Sequence, residues 1–442
     1  MKIKQLSFLS LALLLITNSY GQTKTSDTLS FNIVQAMDYA VANNPSFKNA
    51  IADVAYAEQQ VKEVTAIGIP QVRGQVQFQD ALQKQVFVFP LNGVPTPLRV
   101  GNKYTTQASL NASWLMLDGT YFLGLKAAKE FTELSKKIAF KTEADLKIDV
   151  AKTYFLALIT LENSKLINEN RNTLNTIYLQ TKELNKEGFV EALEVDRLKL
   201  QLNNIDITKQ KIDDQFEIIL GLLKTKMGIS PEKPIKLSDN ITDINKKFIL
   251  SDTSDLVVEK RADYAILKQQ LLLNEYDIKR YQFGKYPNLV GAFSYVQTNF
   301  GETLDFGKWY DNYFYALQLN VPIFSGFAND AKIQKAKIQK IKTENTISNV
   351  TNLMKLEALQ AKIKVENAQN YVDQQKENLD LATRIFDITS IKYKEGVGSN
   401  LELTTANQDV KTAQTNYLTA LYDLLIAKID YHQALGIQPK LN

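Results

Sequence analysis

The chain has 442 residues, and its 52 Lys and Arg against 48 Asp and Glu leave a formal charge of only +4, too near balance for a protein held to nucleic acid by phosphate neutralisation. Cysteine is absent, which excludes disulfide scaffolds, thiolate metal sites, thiol nucleophiles and lipid attachment to an N-terminal cysteine. With His432 as the single histidine, metal or general-base chemistry would rest on carboxylates, lysines and tyrosines. The Asp and Glu are scattered at helical spacings and read as solvated faces, so neither an enzyme nor a cofactor is expected.

Lys2 and Lys4 precede an apolar run from Leu6 to Ile16, and Ser19-Tyr20-Gly21 stands before a cut ahead of Gln22. These eleven residues rise only about 17 Å, short of the roughly 30 Å hydrocarbon core, so residues 1–21 are expected to be a cleaved export signal rather than an anchor. No later stretch holds about 20 uninterrupted apolar residues, so any membrane crossing must use strands.

Beyond the signal the sequence reads as two repeats, 22–230 and 251–442, joined by a linker over 231–250 that carries Pro231 and Pro234. Pro45 and Pro70 stand 25 residues apart, as do Ala262 and Pro287, and Gly188 to Gly228 spans 40 residues, as does Gly396 to Gly436. Leu117-Asp118-Gly119 matches Phe324-Ser325-Gly326, and Met227-Gly228-Ile229 matches Leu435-Gly436-Ile437. The offset changes across the first hairpin, which assigns extra residues to one loop, Phe89 to Val100, rich in proline (Pro90, Pro95, Pro97) with Gly93.

Each repeat opens on a leading helix, Phe31 to Ala66 or Asp255 to Phe283, followed by a β-hairpin, 70–118 or 287–324. Val72, Gly74, Val76 and Phe78 alternate with Gln71, Arg73, Gln75, Gln77 and Gln79. Tyr104, Ala108, Leu110, Ala112 and Trp114 alternate with Thr105, Gln107, Ser109, Asn111 and Ser113. The second half repeats the pattern with Leu289, Phe293 and Tyr295, then with Tyr313, Tyr315, Leu317 and Leu319 opposed by Gln318 and Asn320. The polar side is mostly Gln, Asn, Ser and Thr, as suits a lumen, and Tyr104, Trp114, Trp309, Tyr310 and Tyr313 fall where interfacial aromatics would. Four strands are too few to close a barrel, which takes about eight, so a spanning sheet demands oligomerisation; three chains would supply twelve strands.

Leu125 to Lys186 and Ala328 to Glu395 contain no proline and read as helices about 90–100 Å long. In the second, Met354, Ala358, Ala361, Val365, Ala368, Val372, Gln375, Leu379, Ala382 and Phe386 alternate gaps of four and three, a coiled-coil seam. Both helices are expected to turn at Gly188 and Gly396 and to return to Gly228 and Gly436, where glycine supplies a helix stop. Each returning helix, stacked end to end on a leading helix, equals one long helix, so each half offers two staves.

Over essentially its whole mature length the chain resembles the outer membrane efflux protein family, the TolC-like channels. The residues that carry the resemblance are Ala36-Met37-Asp38-Tyr39-Ala40 with Asn43-Asn44-Pro45, Ile69-Pro70-Gln71-Val72, Val321-Pro322-Ile323-Phe324-Ser325-Gly326, and Lys394 to Leu403 leading into Ala406. The resemblance implies an α+β membrane protein of a Gram-negative outer membrane: a homotrimer whose 12-stranded transmembrane β-barrel, in contact with outer membrane lipid, continues into a periplasmic α-helical barrel. It implies docking to a periplasmic adaptor and an inner-membrane pump, in efflux or type I secretion. The glycines form no nucleotide-binding loop, so the energy would come from the pump.

Family members often carry acidic residues on the inner helix before the second tip. Asp387 stands at one such position, nine before Gly396, while Ser390 stands at its companion, a departure from a double acidic ring. Asp387 is therefore a candidate periplasmic gate, or else a solvated aspartate on an exposed face. Gly188, Phe189, Gly396, Val397 and Gly398 are candidate adaptor contacts, or caps of their helices. His432 reads as a packing or surface residue. The rival reading of the whole is a periplasmic or surface coiled-coil scaffold or adhesin without transport, against which the alternating hairpins speak.

Overall fold

The structure is a computed structural model, which describes residues 29–91, 93–241, 243–244 and 256–437. The expected signal, residues 1–21, and residues 245–250 of the expected linker lie outside the described residues. The chain begins with β1 (Leu29–Phe31), α1 (Ile33–Asn43) and α2 (Pro45–Ile67), followed by β2 (Gln71–Asp80), β3 (Gln85–Leu91), β4 (Val94–Val100) and β5 (Tyr104–Leu117). Then come α3 (Gly119–Lys186), α4 (Ala192–Met227), β6 (Ile235–Leu237) and a 3-10 turn at Val258–Lys260. The second half supplies α5 (Ala262–Phe283), β7 (Asn288–Gly301), β8 (Trp309–Asn320), α6 (Ala328–Lys394) and α7 (Asn400–Ala434). None of the described helices is long and apolar enough to cross a membrane.

Three expectations need correction. The leading helix of the first half is not continuous from Phe31 to Ala66. It breaks at Asn44, whose backbone is extended (φ −63°, ψ 126°) and whose side chain accepts from the N–H of Ser46 (2.8 Å) and Phe47 (3.1 Å). Pro45 disfavours helical backbone at the residue before it and fits the first helical position after it. In the second half the helix starts at Ala262, after the 3-10 turn, and the expected start, Asp255, lies outside the described residues. The expected loop Phe89 to Val100 belongs to a hairpin, β3 paired with β4, in which Pro90 faces Pro95 and Pro97 faces Val88. A two-stranded ribbon is all edge, so proline costs it no ladder hydrogen bond where its nitrogen points outward.

The long helices run 68 and 67 residues, about 100 Å each. α3 starts before Leu125 because the Asp118 carboxylate caps it, accepting from Thr120 N–H at 2.7 Å. Along α6 all ten seam positions from Met354 to Phe386 are buried or half-buried and every residue between them is exposed. Val372 packs there with Leu421 and Leu424 of α7, and Ala361 and Val365 pack with Tyr431 and Leu435. The main core gathers α1, the middle of α3, the end of α4 and part of α7 around fully buried Tyr154 and Phe155. The Tyr154 hydroxyl lies 2.9 Å from both the Phe31 carbonyl and Asp239 Oδ2, and Asp239 Oδ2 also accepts from Ile33 N–H at 2.7 Å. Burial, then the Asp239 charge, push the phenol far above its ordinary range, so it remains a donor. This network ties the parallel pair β1–β6 to α3.

His432, on α7, is 2% exposed, and burial holds its imidazole below its ordinary pKa. The folded state therefore binds fewer protons than the unfolded chain once pH falls below the unfolded value of about 6.5, and stability is lost from there downward at no more than about 1.4 kcal/mol per pH unit. Lys428, one turn earlier, is likewise depressed by burial. Denaturation midpoints between pH 7.5 and 5.5 are expected to fall for the native chain, and to fall less for His432→Gln.

Candidate channel wall and periplasmic tips

Four strands form one antiparallel sheet in the order β2-β5-β7-β8, so β2 and β8 are both open edges within a single chain. The register joins the alternating residues of all four strands into two continuous faces. Rows such as Val72–Ala112–Phe293–Tyr315 and Gly74–Leu110–Tyr295–Tyr313 make one of them. On this face Trp114 lies over Gly291, where a Cβ would meet its indole at 2.5 Å, and its ring sits 6.4 Å from that of Tyr315. Polar residues of the same parity, Gln297, Asn299 and Asp311, gather at the ends of β7 and β8 away from the helices.

The opposite face carries Gln, Arg, Thr, Ser and Asn from β2 and β5, linked to the second half by Ser294 Oγ donating to Asn111 Oδ1 at 2.6 Å. β7 and β8 mix Val296, Phe300 and Phe314 into it, so this side is less uniformly polar than the alternation of the first half. Tyr310, opposite Thr298, also belongs here and not with the aromatics of the apolar face.

At the far end of the long helices the two turns sit side by side. Gly188 (φ +82°) and Gly396 (φ +75°) have the left-handed backbone that glycine adopts without strain. Phe189 N–H donates to Leu184 O at 2.9 Å, and Val397 N–H and Gly398 N–H donate to Lys392 O at 3.1 and 3.0 Å. These bonds turn the apolar side chains outward: Phe189 is 77% and Val397 79% exposed. The structure thus brings together Gly188, Phe189, Gly396, Val397 and Gly398.

The tips are tied by contacts that sequence reading missed. Buried Thr181 and half-buried Tyr393 share a hydroxyl–hydroxyl hydrogen bond of 2.9 Å, Asn400 Nδ2 donates to Glu194 Oε2, and Leu403 packs with Leu198 and Leu202. Asp387 stands apart from the tips, further up α6, exposed and without an ion pair among the described residues. Ser390 is half-buried. Asp373, Glu377 and Asp380 continue the Asp387 side of the helix at alternating spacing, interrupted by Arg384, and were not singled out from sequence. Asp380 and Asp373 hold the phenol of Tyr417, already raised by its burial on α7, further above its ordinary value. Among the described residues no group of acidic or histidine side chains is arranged to hold a metal ion.

Where the returning helices end, the two halves make corresponding contacts. Gly228 (φ +73°) stops α4 against the backbone of Asn43 and Asn44, and Gly436 (φ +71°) stops α7 against Lys260 and Arg261. Asn44 Nδ2 donates to Lys226 O at 2.8 Å, and Arg261 Nη1 donates to Gln433 O and Ala434 O, each at 2.9 Å. In each half a side chain at the start of one helix satisfies the open carbonyls at the end of another and stacks the two end to end.

The site is thus a sheet with one apolar and one largely polar face, set on helix pairs about 100 Å long. Residues 262–437 match the family model described as outer membrane efflux protein. The chain is 23% identical over 216 residues to the proteases secretion protein PrtF of Dickeya chrysanthemi, covering 47% of this chain and 46% of that protein, so it spans less than half of that relative. It is 21% identical over 348 residues to the probable efflux pump outer membrane protein TtgC of Pseudomonas putida, covering 76% of this chain and 70% of the relative. Among solved structures, the outer membrane protein VceC of Vibrio cholerae matches with a TM-score of 0.73 at 14% identity, over 92% of this chain and 97% of that one. The CmeC outer membrane channel of Campylobacter jejuni matches with a TM-score of 0.73 at 18% identity, over 91% and 85%. At such identities the likeness is one of fold.

Proposed function

We propose that three copies of this chain form an outer membrane channel with a periplasmic extension, a passive conduit that serves an efflux or type I secretion system. One observation carries the reading: the four-stranded sheet is open at β2 and β8 while it divides into an apolar and a largely polar face. In a membrane an open edge leaves unpaired N–H and C=O groups, each costing several kcal/mol, and only closure removes them. Setting β8 of one copy beside β2 of the next closes twelve strands with the amide face inward. The three helix sets then continue the tube, and the half-buried seam of α6 makes each α6–α7 pair one stave unit.

The two halves, 22–230 and 251–442 about the linker 231–250, are duplicates of one unit in this reading, supported by the matching Asn44–Lys226 and Arg261–Ala434 contacts. The names of the efflux and secretion relatives support a periplasmic adaptor and an inner-membrane pump as partners, with the exposed Phe189 and Val397 as the surface the adaptor meets. Photo-crosslinkers at positions 189 and 397 should then capture an adaptor in cells; labels that never capture a periplasmic protein would remove the tips from docking. The channel needs no catalysis of its own.

Asp387 is the proposed gate residue. Three symmetry-related carboxylates around a constriction attract cations at close range. In planar bilayers the purified protein should conduct, and Asp387→Asn should relieve divalent-cation block by about tenfold in blocker concentration, roughly 1.4 kcal/mol of site affinity. Conduction with unchanged block would remove Asp387 from the gate; absence of conduction by a correctly inserted protein would favour the scaffold or adhesin instead.

A further inference from the structure

We propose that the β3–β4 hairpin is a membrane-surface anchor that lies in the anionic, phosphate-bearing headgroup layer of the outer leaflet beside the mouth of its own channel. The inference rests on the channel reading above. The β2–β5 ladder ends at Asp80 and Tyr104, Ala81 N–H donates to Lys103 O at 2.7 Å, and pairing resumes at Gln85 and Val100. The hairpin therefore prolongs the sheet beyond its helix-distant end, with seven residues per strand, about 23 Å, closed at Gly93 (φ +83°). No hairpin of this kind extends the β7–β8 pair among the described residues.

Its composition does not suit water. Phe87, Phe89, Leu98 and Val100 share one face, with the two phenyl rings 6.2 Å apart, while Val86 and Val88 occupy the other, and all six are exposed. An isolated two-stranded ribbon is at best marginally stable in water, and exposed apolar area of this extent marks an interaction surface.

Charge selects the occupant. Residues 81–103 contain Lys84, Arg99 and Lys103 and no Asp or Glu. Lys84 is held by Glu302 of the β7–β8 turn at 2.6 Å, which fixes the base of the hairpin, and Lys103 lies over the Tyr104 ring at 4.9 Å. Arg99 makes no ion pair among the described residues. An apolar body whose own charges are all cationic, with Asp80 and Glu302 confined to its base, complements acyl chains beneath anionic headgroups. The same cationic charges oppose the packing of three hairpins on each other over the mouth, because like charges would meet. The base of the hairpin also continues the strands that carry Val76 and Phe78 on the apolar face, which places it at the level where lipid ends.

The absence of cysteine allows a unique label. In full-length protein reconstituted into phosphatidylcholine–phosphatidylglycerol vesicles, an environment-sensitive fluorophore on Phe89→Cys should be quenched more strongly by headgroup-proximal nitroxide lipid than by aqueous iodide. Arg99→Gln with Lys103→Gln should reduce that lipid quenching about twofold or more, as should vesicles without phosphatidylglycerol. A second label on Val76→Cys, in β2, reports the channel reading itself. Lipid quenching at 76 with iodide quenching at 89, or excimer formation between pyrenes at 89 of neighbouring copies, overturns the anchor and leaves the channel. Loss of lipid quenching at 76 as well overturns both.

Discussion

Leu317→Arg is expected to abolish the heat-modifiable outer membrane assembly, while Gln318→Arg, one residue along β8, is tolerated. Leu317 lies in register with Gly291, on the face that holds Tyr313, Tyr315 and Leu319, and is exposed to whatever surrounds the sheet. If lipid surrounds it, a guanidinium near mid-depth costs roughly 2–4 kcal/mol in each copy, and the cost recurs in every subunit of the assembly. Gln318 belongs to the opposite face, where its amide reaches Asn320 Oδ1 at 2.8 Å and a charge meets water. Heat-modifiability on gels and outer membrane fractionation check the pair. Equal tolerance of both arginines would mean that the two faces share one solvent.

Gly228→Ala should destabilise the fold by about 3 kcal/mol or more, whereas Gly188→Ala should cost only about 1–2. The two glycines have nearly the same left-handed backbone, φ +73° and +82°, so the intrinsic penalty for a Cβ is common to both. Their surroundings differ. At Gly188 nothing lies within 4 Å of an added Cβ, while at Gly228 the Asn43 carbonyl oxygen lies at 2.6 Å. That oxygen belongs to the last turn of α1, and relieving the clash means parting α4 from the start of α2 and lengthening the Asn44–Lys226 bond. Helix loss followed by circular dichroism during guanidinium unfolding separates the two variants. Similar midpoints would show that the junction yields and that stacking of the two helices is not rigid.

What could be read in the sequence was whatever repeats at short range. The ten seam residues of α6 were legible because packing against one neighbour imposes a period of 3.5. Both tips were legible because a left-handed turn after a long helix selects glycine, and the sheet faces because side chains alternate. The break at Asn44 was hidden because apolar residues continue in helical phase on both sides, leaving only the Asn-Pro pair as a signal. β3 and β4 were hidden because their prolines imitate a loop. Contacts such as Thr181–Tyr393, Asn400–Glu194 and Tyr154–Asp239 had no local signature at all; each joins polar residues far apart in sequence that only the finished packing brings into reach.

The duplicated contacts at the helix junctions link fold to function. In the proposed channel a tube would have to resist collapse along its whole length, and each half stacks α2 on α4, or α5 on α7, beside one unbroken long helix. Arg261 is half of that device and is buried, with Glu357 3.0 Å from its Nη2 as its partner.

The proposed channel exists only if three chains complete its wall. The mass of the detergent-purified protein, by light scattering corrected for bound detergent or by native mass spectrometry, should be that of three chains, with cysteines on β2 and β8 crosslinking neighbouring copies. A stable monomer, with β2 and β8 unlinked and both sheet faces open to water-soluble quenchers, would contradict it.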